Sequence, residues 1–413
     1  MKKLLLRITL SVLCVFMSVC MLVPAISVFA ESEKGTGMAE SVDTAIGSDG
    51  DKESQDTALY TPEITAPAAI LMDSTTGEVL YEKNADTPLP PASVTKVMTL
   101  LLVMEAVESE KIKLDDMVPV SAHAANMGGS QIYLEEGEEM SVEDMIKSVV
   151  IASANDAAAA LAEFVAGSEE AFVALMNKRA KELGMNNTNF ENTNGLDDTV
   201  VNHTISARDI AIMSRKLIGY DTILKYSSTW MDSVRGGSFG LTNTNRLVRF
   251  YEGATGLKTG STAKAKFCIS ATAKRGDLHL IAVIMGAESR DIRNEEAKKL
   301  LDYGFSNFAL YSDEFTQMPD IEVIGGVSDT CKVGYDDFCR IVDKGTEGKI
   351  ERKVEITSPM AAPIKTGDEV GKITYTANGE IIGENKIYAL EDTDKISFGK
   401  LLSRMLEMFL MKR

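Results

Sequence analysis

The hydrophobic pattern along this chain changes period several times, and each change predicts an element. From Pro62, the short apolar run PAAILMD, the turn STTG and the alternating EVLYEK give a hairpin signal. PLPPAS then stops the extended chain, with Pro90 and Pro91 setting up a helix start. The stretch SVTKVMTLLLVMEAVE that follows is long and apolar enough for a buried helix. Further helical runs come next. SVEDMIKSVVIA opens on Ser141 as an N-cap, and NDAAAALAEFVAG runs from Asn155 to Gly167. SEEAFVALMNKRAKELG and SARDIAIMSRKLIG each run from a Ser cap (Ser168, Ser206) to a terminating Gly (Gly184, Gly219). Strand signals return after Gly256, where AKFCISATAK and LHLIAVIMGA flank the turn Arg275-Gly276-Asp277. SRDIRNEEAKKLLDYGF then reads as a helix. Sheet signals therefore bracket a helical middle. One architecture satisfies that order: an α+β (α/β) domain whose antiparallel sheet is built from both ends, with a helical lobe inserted between.

Near Asp313 the pattern shortens to alternating runs with Gly turns, DIEVIGGVS, RKVEITSP and VGKITYTANGEIIGENKIYAL, which predict a small all-β domain. The last stretch, SFGKLLSRMLEMFLMKR, predicts an amphipathic helix. At 100° per residue, Phe398, Leu401, Leu402, Met405, Leu406, Met408 and Phe409 share an arc of about 160°, opposite Lys400, Ser403, Arg404 and Glu407. Its net charge is positive, which suits the surface of an anionic bilayer; docking on the β domain is the alternative.

The two ends change the picture further. Lys2, Lys3 and Arg7 precede an apolar run ending at Val28-Phe29-Ala30, so residues 1–30 read as a secretory signal peptide, with an uncleaved anchor as the alternative. Residues 31–60 are polar, acidic and rich in Gly and Ser, a flexible linker. The expected bounds are thus 1–30, 31–60, a catalytic domain at 61–312, a β domain at 313–394 and the helix at 395–413. The chain carries a formal charge of −18, which becomes −21 once the leader's three cations leave. That argues against a nucleic-acid partner. Cys268, Cys331 and Cys339 are no disulfide framework, although Cys331 and Cys339 are spaced to bridge. His123, His203 and His279 lack ligand spacing, so no metal is expected.

Three short motifs carry candidate chemistry. Ser93 and Lys96, in PASVTKVMT, lie three apart at a helix start, so hydroxyl and ammonium share a face. A serine needs a base to become a nucleophile, and a lysine kept neutral by burial supplies one. The N–H groups of the helix start can hold an oxyanion. Ser261/Lys264 and Ser397/Lys400 repeat the spacing, but only Ser93 opens an apolar helix that desolvates its lysine. Ser153 and Asn155, in ASANDAA, sit at a break between helices. Ser153 can relay a proton to the leaving group, and Asn155 can orient Lys96 and a substrate amide; plain helix capping is the alternative. Lys-Thr-Gly occurs twice. Lys258-Thr259-Gly260 leads into the strand hairpin and offers a charge, a hydroxyl and room for close approach, a carboxylate clamp. Lys365-Thr366-Gly367 stands beside Asp368 and Glu369 and reads as a turn.

The ordered set Ser93-x-x-Lys96, Ser153-x-Asn155 and Lys258-Thr259-Gly260 resembles the D-alanyl-D-alanine carboxypeptidases, the low-molecular-weight penicillin-binding proteins. NTNFENTNGLDD, LLDYGFSNF, APIKTGDEVGKI and the amphipathic tail are similar to that family as well. The resemblance implies a β-lactamase/transpeptidase-like catalytic fold. It implies Ser93 as nucleophile, Lys96 as base and Ser153 as proton relay. Lys258, Thr259 and Asn155 would bind substrate, and the backbone N–H groups of Ser93 and Ser261 would form an oxyanion hole. The implied substrate is a peptidoglycan stem peptide ending in D-Ala-D-Ala, with β-lactams as inhibitors. No metal or organic cofactor is implied. The implied location is extracytoplasmic, with the C-terminal helix on the outer face of the cytoplasmic membrane. A class A β-lactamase is the nearest rival, but it usually carries Ser-Asp-Asn second and a Glu-x-x-Leu-Asn segment, which is missing between Ser153 and Lys258. A non-catalytic wall-binding scaffold would show decayed motifs, and none is visible.

Overall fold

Two hairpins far apart in sequence build one sheet. The computed structural model describes residues 61–198, 200–315 and 318–411. The leader at 1–30 and the linker at 31–60 lie outside the described residues. Strands β1 (Ala68–Asp73) and β2 (Val79–Lys83) form the first hairpin. Strands β3 (Ala254–Thr262), β4 (Lys266–Arg275) and β5 (Leu278–Ala287) form the second unit. They join as β2-β1-β5-β4-β3, antiparallel throughout, with Ile70 opposite Val283 across the seam. Everything from 84 to 253 is inserted between, as the pattern predicts.

Both faces of this sheet are covered, which explains why its strands read as nearly continuous apolar runs. Ile70, Met72, Ile281 and Val283 face the helical lobe. Leu71, Leu280, Ala282 and Ile284 face helix α6 (Arg290–Asn307), the last helix of this domain. A Cβ on Gly304 would lie 2.4 Å from Leu280, so that glycine sets how closely α6 rides the sheet. The lobe's buried helix is α1 (Lys96–Glu108). It is apolar on nearly every side, and a helix of that kind belongs in an interior. Around it lie α2 (Val142–Lys147), α3 (Asn155–Ala166), α4 (Glu169–Glu182) and α5 (Ala207–Leu217). The expected caps Ser141, Ser168 and Ser206 each accept a backbone N–H three residues on.

The β region has its own core, with Tyr375, Ile373, Ile387 and Val370 at its centre. Strand β6 (Phe308–Asp313) leaves α6 directly and pairs with β7 (Phe338–Asp343). The expected junction at 312/313 falls at the end of that strand. Strands β8 (Glu351–Ile356), β9 (Glu369–Ala377) and β10 (Glu380–Ala389) form a meander. Phe338 stacks on Tyr375 with ring centroids 4.0 Å apart. Cys331 and Cys339 are free thiols, so the bridge their spacing allowed is not formed.

Helix α7 (Phe398–Met411) ends the described chain. Arg404 on its polar side bonds Asp329 at 2.8 Å and the Val327 carbonyl at 3.1 Å. Its apolar side points outward, with Phe398 80% and Phe409 75% exposed. The helix thus meets the β domain through its polar side, while its apolar side stays uncovered. No helix among the described residues is long and apolar enough to cross a membrane.

Candidate active site

Ser93 does not open α1 as the sequence pattern suggests. Pro90 and Pro91 lead instead into a tight 3-10 turn, Ala92–Thr95, and α1 begins at Lys96. The two side chains still meet: Lys96 Nζ lies 3.0 Å from Ser93 Oγ. Lys96 is 0% exposed. Burial, with help from the nearby Lys258 cation, holds its ammonium well below the ordinary lysine value, and Asp156 opposes the shift. That shift favours the neutral amine, the form that can accept the Ser93 proton.

What fixes the turn is a loop within the NTNFENTNGLDD segment, to which sequence reasoning assigned no chemistry. The Asn194 carbonyl accepts a bond from Lys96 Nζ at 2.8 Å. Gly195, at φ +83°, passes so close to the turn that a Cβ would lie 1.8 Å from the Ala92 carbonyl oxygen. His203 completes the brace. Its Nδ1 accepts the Glu191 N–H at 2.9 Å, so Nε2 carries the proton and donates to Thr95 Oγ1 at 2.7 Å. Thr95 passes a bond on to the Ala92 carbonyl. Burial lowers the His203 pKa to about 4, which keeps this arrangement neutral at ordinary pH.

Ser153 and Asn155 do not act as helix caps. Ala154 occupies the N-cap of α3 and makes no side-chain cap bond. Ser153 ends a π turn, Ser148–Ala152, with φ +64°, a conformation unusual for serine and often kept where geometry matters. It faces the same cavity as Ser93. Asn155 departs from expectation. Its Nδ2 donates to the Gly128 carbonyl at 2.6 Å and not to Lys96's surroundings, and its buried Oδ1 has no partner. Asp156 beside it accepts the Ile132 and Leu134 N–H groups at 3.1 Å. The first turn of α3 thus secures loop 128–134, which brings Ser130 to the cavity.

Lys258-Thr259-Gly260 lies on β3, the edge strand of the sheet. A Cβ on Gly260 would sit 2.8 Å from both the Pro91 carbonyl oxygen and the Ser93 nitrogen, so only glycine lets the strand abut the nucleophile turn. That contact sets Ser261 beside Ser93, and both line the cavity of about 620 Å3. Thr259 Oγ1 donates to Thr244 Oγ1 at 2.8 Å. Lys258 is 1% exposed, and its Nζ donates to the Thr259 carbonyl at 3.0 Å. Burial, then the Arg293 charge, lowers its pKa to about 7. Lys258 is therefore a partly charged group beneath the cavity and not the surface clamp the motif suggests.

Arg293, which does line the cavity, was missed by sequence reasoning. Its signal is positional. It is buried on α6 in register with Ala297, Leu300 and Leu301, and an arginine on an apolar stripe is unusual. The other copy, Lys365-Thr366-Gly367, is a surface turn. Lys365 Nζ pairs with Asp392 and Asp394 at 3.1 and 3.0 Å, and Thr366 Oγ1 donates to Asp392. Among the described residues, no group of three or more His, Cys, Asp or Glu side chains is placed to hold a metal.

Known proteins resemble this chain in sequence and fold. Residues 54–289 match the family model described as D-alanyl-D-alanine carboxypeptidase, and 305–395 match that of the penicillin-binding protein 5 C-terminal domain. D-alanyl-D-alanine carboxypeptidase DacF of Bacillus subtilis is 43% identical over 82% of this chain and 88% of its own length. DacC of Escherichia coli is 35% identical over 85% of this chain and 89% of its own. Penicillin-binding protein 5 of Haemophilus influenzae superposes with a TM-score of 0.71 at 31% identity, covering 81% of this chain and 99% of that one.

Proposed function

The chain belongs to the D-alanyl-D-alanine carboxypeptidase family, and on that premise we propose that it works through an acyl-enzyme on Ser93. It is a serine-type D-Ala-D-Ala carboxypeptidase, a hydrolase of the penicillin-binding class acting on peptidoglycan. The observation that carries the Ser93 assignment is the 3.0 Å contact to a lysine whose charged form burial disfavours.

Neutral Lys96 takes the Ser93 proton as Oγ bonds to the carbonyl carbon of the terminal D-Ala-D-Ala peptide bond. The carbonyl oxygen becomes an oxyanion held by the Ser93 and Ser261 N–H groups. Ser153 returns a proton to the amide nitrogen, the C–N bond breaks and D-alanine leaves. Water then adds to the ester and frees Ser93. The Thr259 hydroxyl and the Arg293 guanidinium hold the departing carboxylate, and Lys258 contributes charge from below. Asn155 positions the acyl side through loop 128–134. Penicillin acylates the same serine. Mass spectrometry of the penicillin-treated protein should find the adduct on the peptide containing Ser93, and an adduct elsewhere would reject the assignment.

The outward apolar face and basic character of α7 support attachment to the outer surface of an anionic membrane after export. Deleting residues 396–413 should release the protein from anionic vesicles. Retention of the shortened chain after leader removal would reject that role.

A further inference from the structure

The cavity carries more positive charge than one carboxylate requires. Four arginines, Arg246, Arg249, Arg290 and Arg293, line it, and among the described residues no Asp or Glu does. The rest of the chain is the reverse, with 61 acidic residues against 43 basic ones, so chance would have put acids there. Arg246 and Arg290 have no carboxylate partner among the described residues. Burial, then the charges of Arg290 and Arg246, lower the Arg293 pKa to about 10, and Cys268 and Asp291 offset this only in part. Gathering several like charges with so little counter-charge is unfavourable unless an anion completes the set.

The arginines are also held in place. Thr244 is tied to Thr259 through their hydroxyls. Asn245, fully buried, donates from Nδ2 to the Gly256 carbonyl at 2.8 Å and accepts the Leu247 N–H. Asn243 donates to the Ser227 and Thr229 carbonyls. The segment that carries Arg246 is thereby locked to β3 beside Thr259, and the Thr244 N–H also bonds the Ile151 carbonyl at 3.1 Å, two residues before Ser153. Arg290 and Arg293 arrive from the first turn of α6. At the rim, Arg249 lies over the rings of Trp230 and Phe250, each 5.4 Å away. The charge excess therefore adjoins Thr259, whose hydroxyl is assigned above to the departing carboxylate.

We propose that this end of the cavity recognises a second anionic group on the leaving portion, so that the enzyme accepts D-alanyl bonds whose leaving residue is itself acidic. The inference rests on the carboxypeptidase reading above. The main-chain carboxylate occupies Thr259 and Arg293, and the second one bridges Arg246 and Arg290. The reaction is the same hydrolysis: the C–N bond breaks, water supplies a hydroxyl to the acyl group and a proton to the amine, and a dicarboxylic amino acid departs.

The test compares kcat/KM for diacetyl-L-Lys-D-Ala-D-Ala and for the same peptide ending in D-Ala-D-Glu. Wild type should cleave the D-Glu peptide at least as well as the D-Ala peptide. In Arg246→Ala and Arg290→Ala, the ratio of D-Glu to D-Ala activity should fall by about tenfold, the loss of roughly one charge-assisted contact at a partly wet site. High salt should lower the wild-type ratio as well. Labelling of each variant by fluorescent penicillin confirms a folded site. A wild type that strongly prefers D-Ala, or a ratio unmoved by both substitutions, overturns this inference and leaves the carboxypeptidase reading standing. Failure of wild type to cleave either peptide rejects the reading itself.

Discussion

Lys258 and Lys365 head the same three residues, yet their surroundings are opposite. Lys258 is enclosed, has only a backbone carbonyl to bond, and is driven toward neutrality. Lys365 lies in solvent between two carboxylates, whose hydrogen bonds raise its pKa. The glycines differ in the same way. Gly260 is required because a backbone presses against it, whereas Gly367 merely turns the chain at φ +91°. A motif acquires chemistry from what desolvates it, and the three letters alone do not decide that.

The sharpest way to break this comparison is to remove each ammonium. Lys258→Ala should lower kcat/KM for D-Ala release by about 100-fold or more, as expected for a buried charge acting on a developing anion. A loss under threefold would mean that the β3 copy is structural. The glycines come next. Gly260→Ala should cost about 10- to 100-fold in acylation by penicillin, because its Cβ must displace the Ser93 turn. Gly367→Ala should leave acylation alone and reduce unfolding free energy by about 1 kcal/mol. Equal acylation rates for the two variants would remove the distinction.

A smaller effect concerns pH. Lys96 works as a base only when neutral, and the Lys258 cation is one of the causes that keep its pKa down. Removing that cation lets the Lys96 pKa rise, so the acid limb of the residual penicillin acylation should move to higher pH in Lys258→Met. A limb that stays put, or moves to lower pH, would show that the two lysines are not coupled. The smallest effect belongs to Lys365→Ala. Carboxypeptidase activity should stay within about twofold of wild type, and the thermal unfolding midpoint should barely move, as for exposed ion pairs.

The parts of the molecule legible in advance are those fixed by neighbours in sequence. The hairpins follow from alternation and turn residues, and the helix starts at Ser141, Ser168 and Ser206 follow from caps that bond three residues on. Ser93 and Lys96 were readable because their spacing survives the change from helix to 3-10 turn. The Asn194 carbonyl was not readable, since a backbone oxygen 98 residues away has no letter of its own. Arg246 and Arg290 were missed for another reason. Exposed arginines are ordinary, and only the folded cavity shows that no acid accompanies them. Asn155 was recognised, but its partner was not, because the direction of a side-chain amide depends on a loop that α3 itself arranges.

The brace between Gly195 and Ala92 has a kinetic consequence. The nucleophile turn, the loop that grips it and the strand that closes it come from three distant stretches of chain, and none can hold its geometry alone. Closing such long intervals is slow compared with forming local helices. Reactivity toward penicillin should therefore be among the last properties to emerge as the chain folds. Timed labelling during refolding would then serve as a clock for completion, ticking only once the whole lobe has come together.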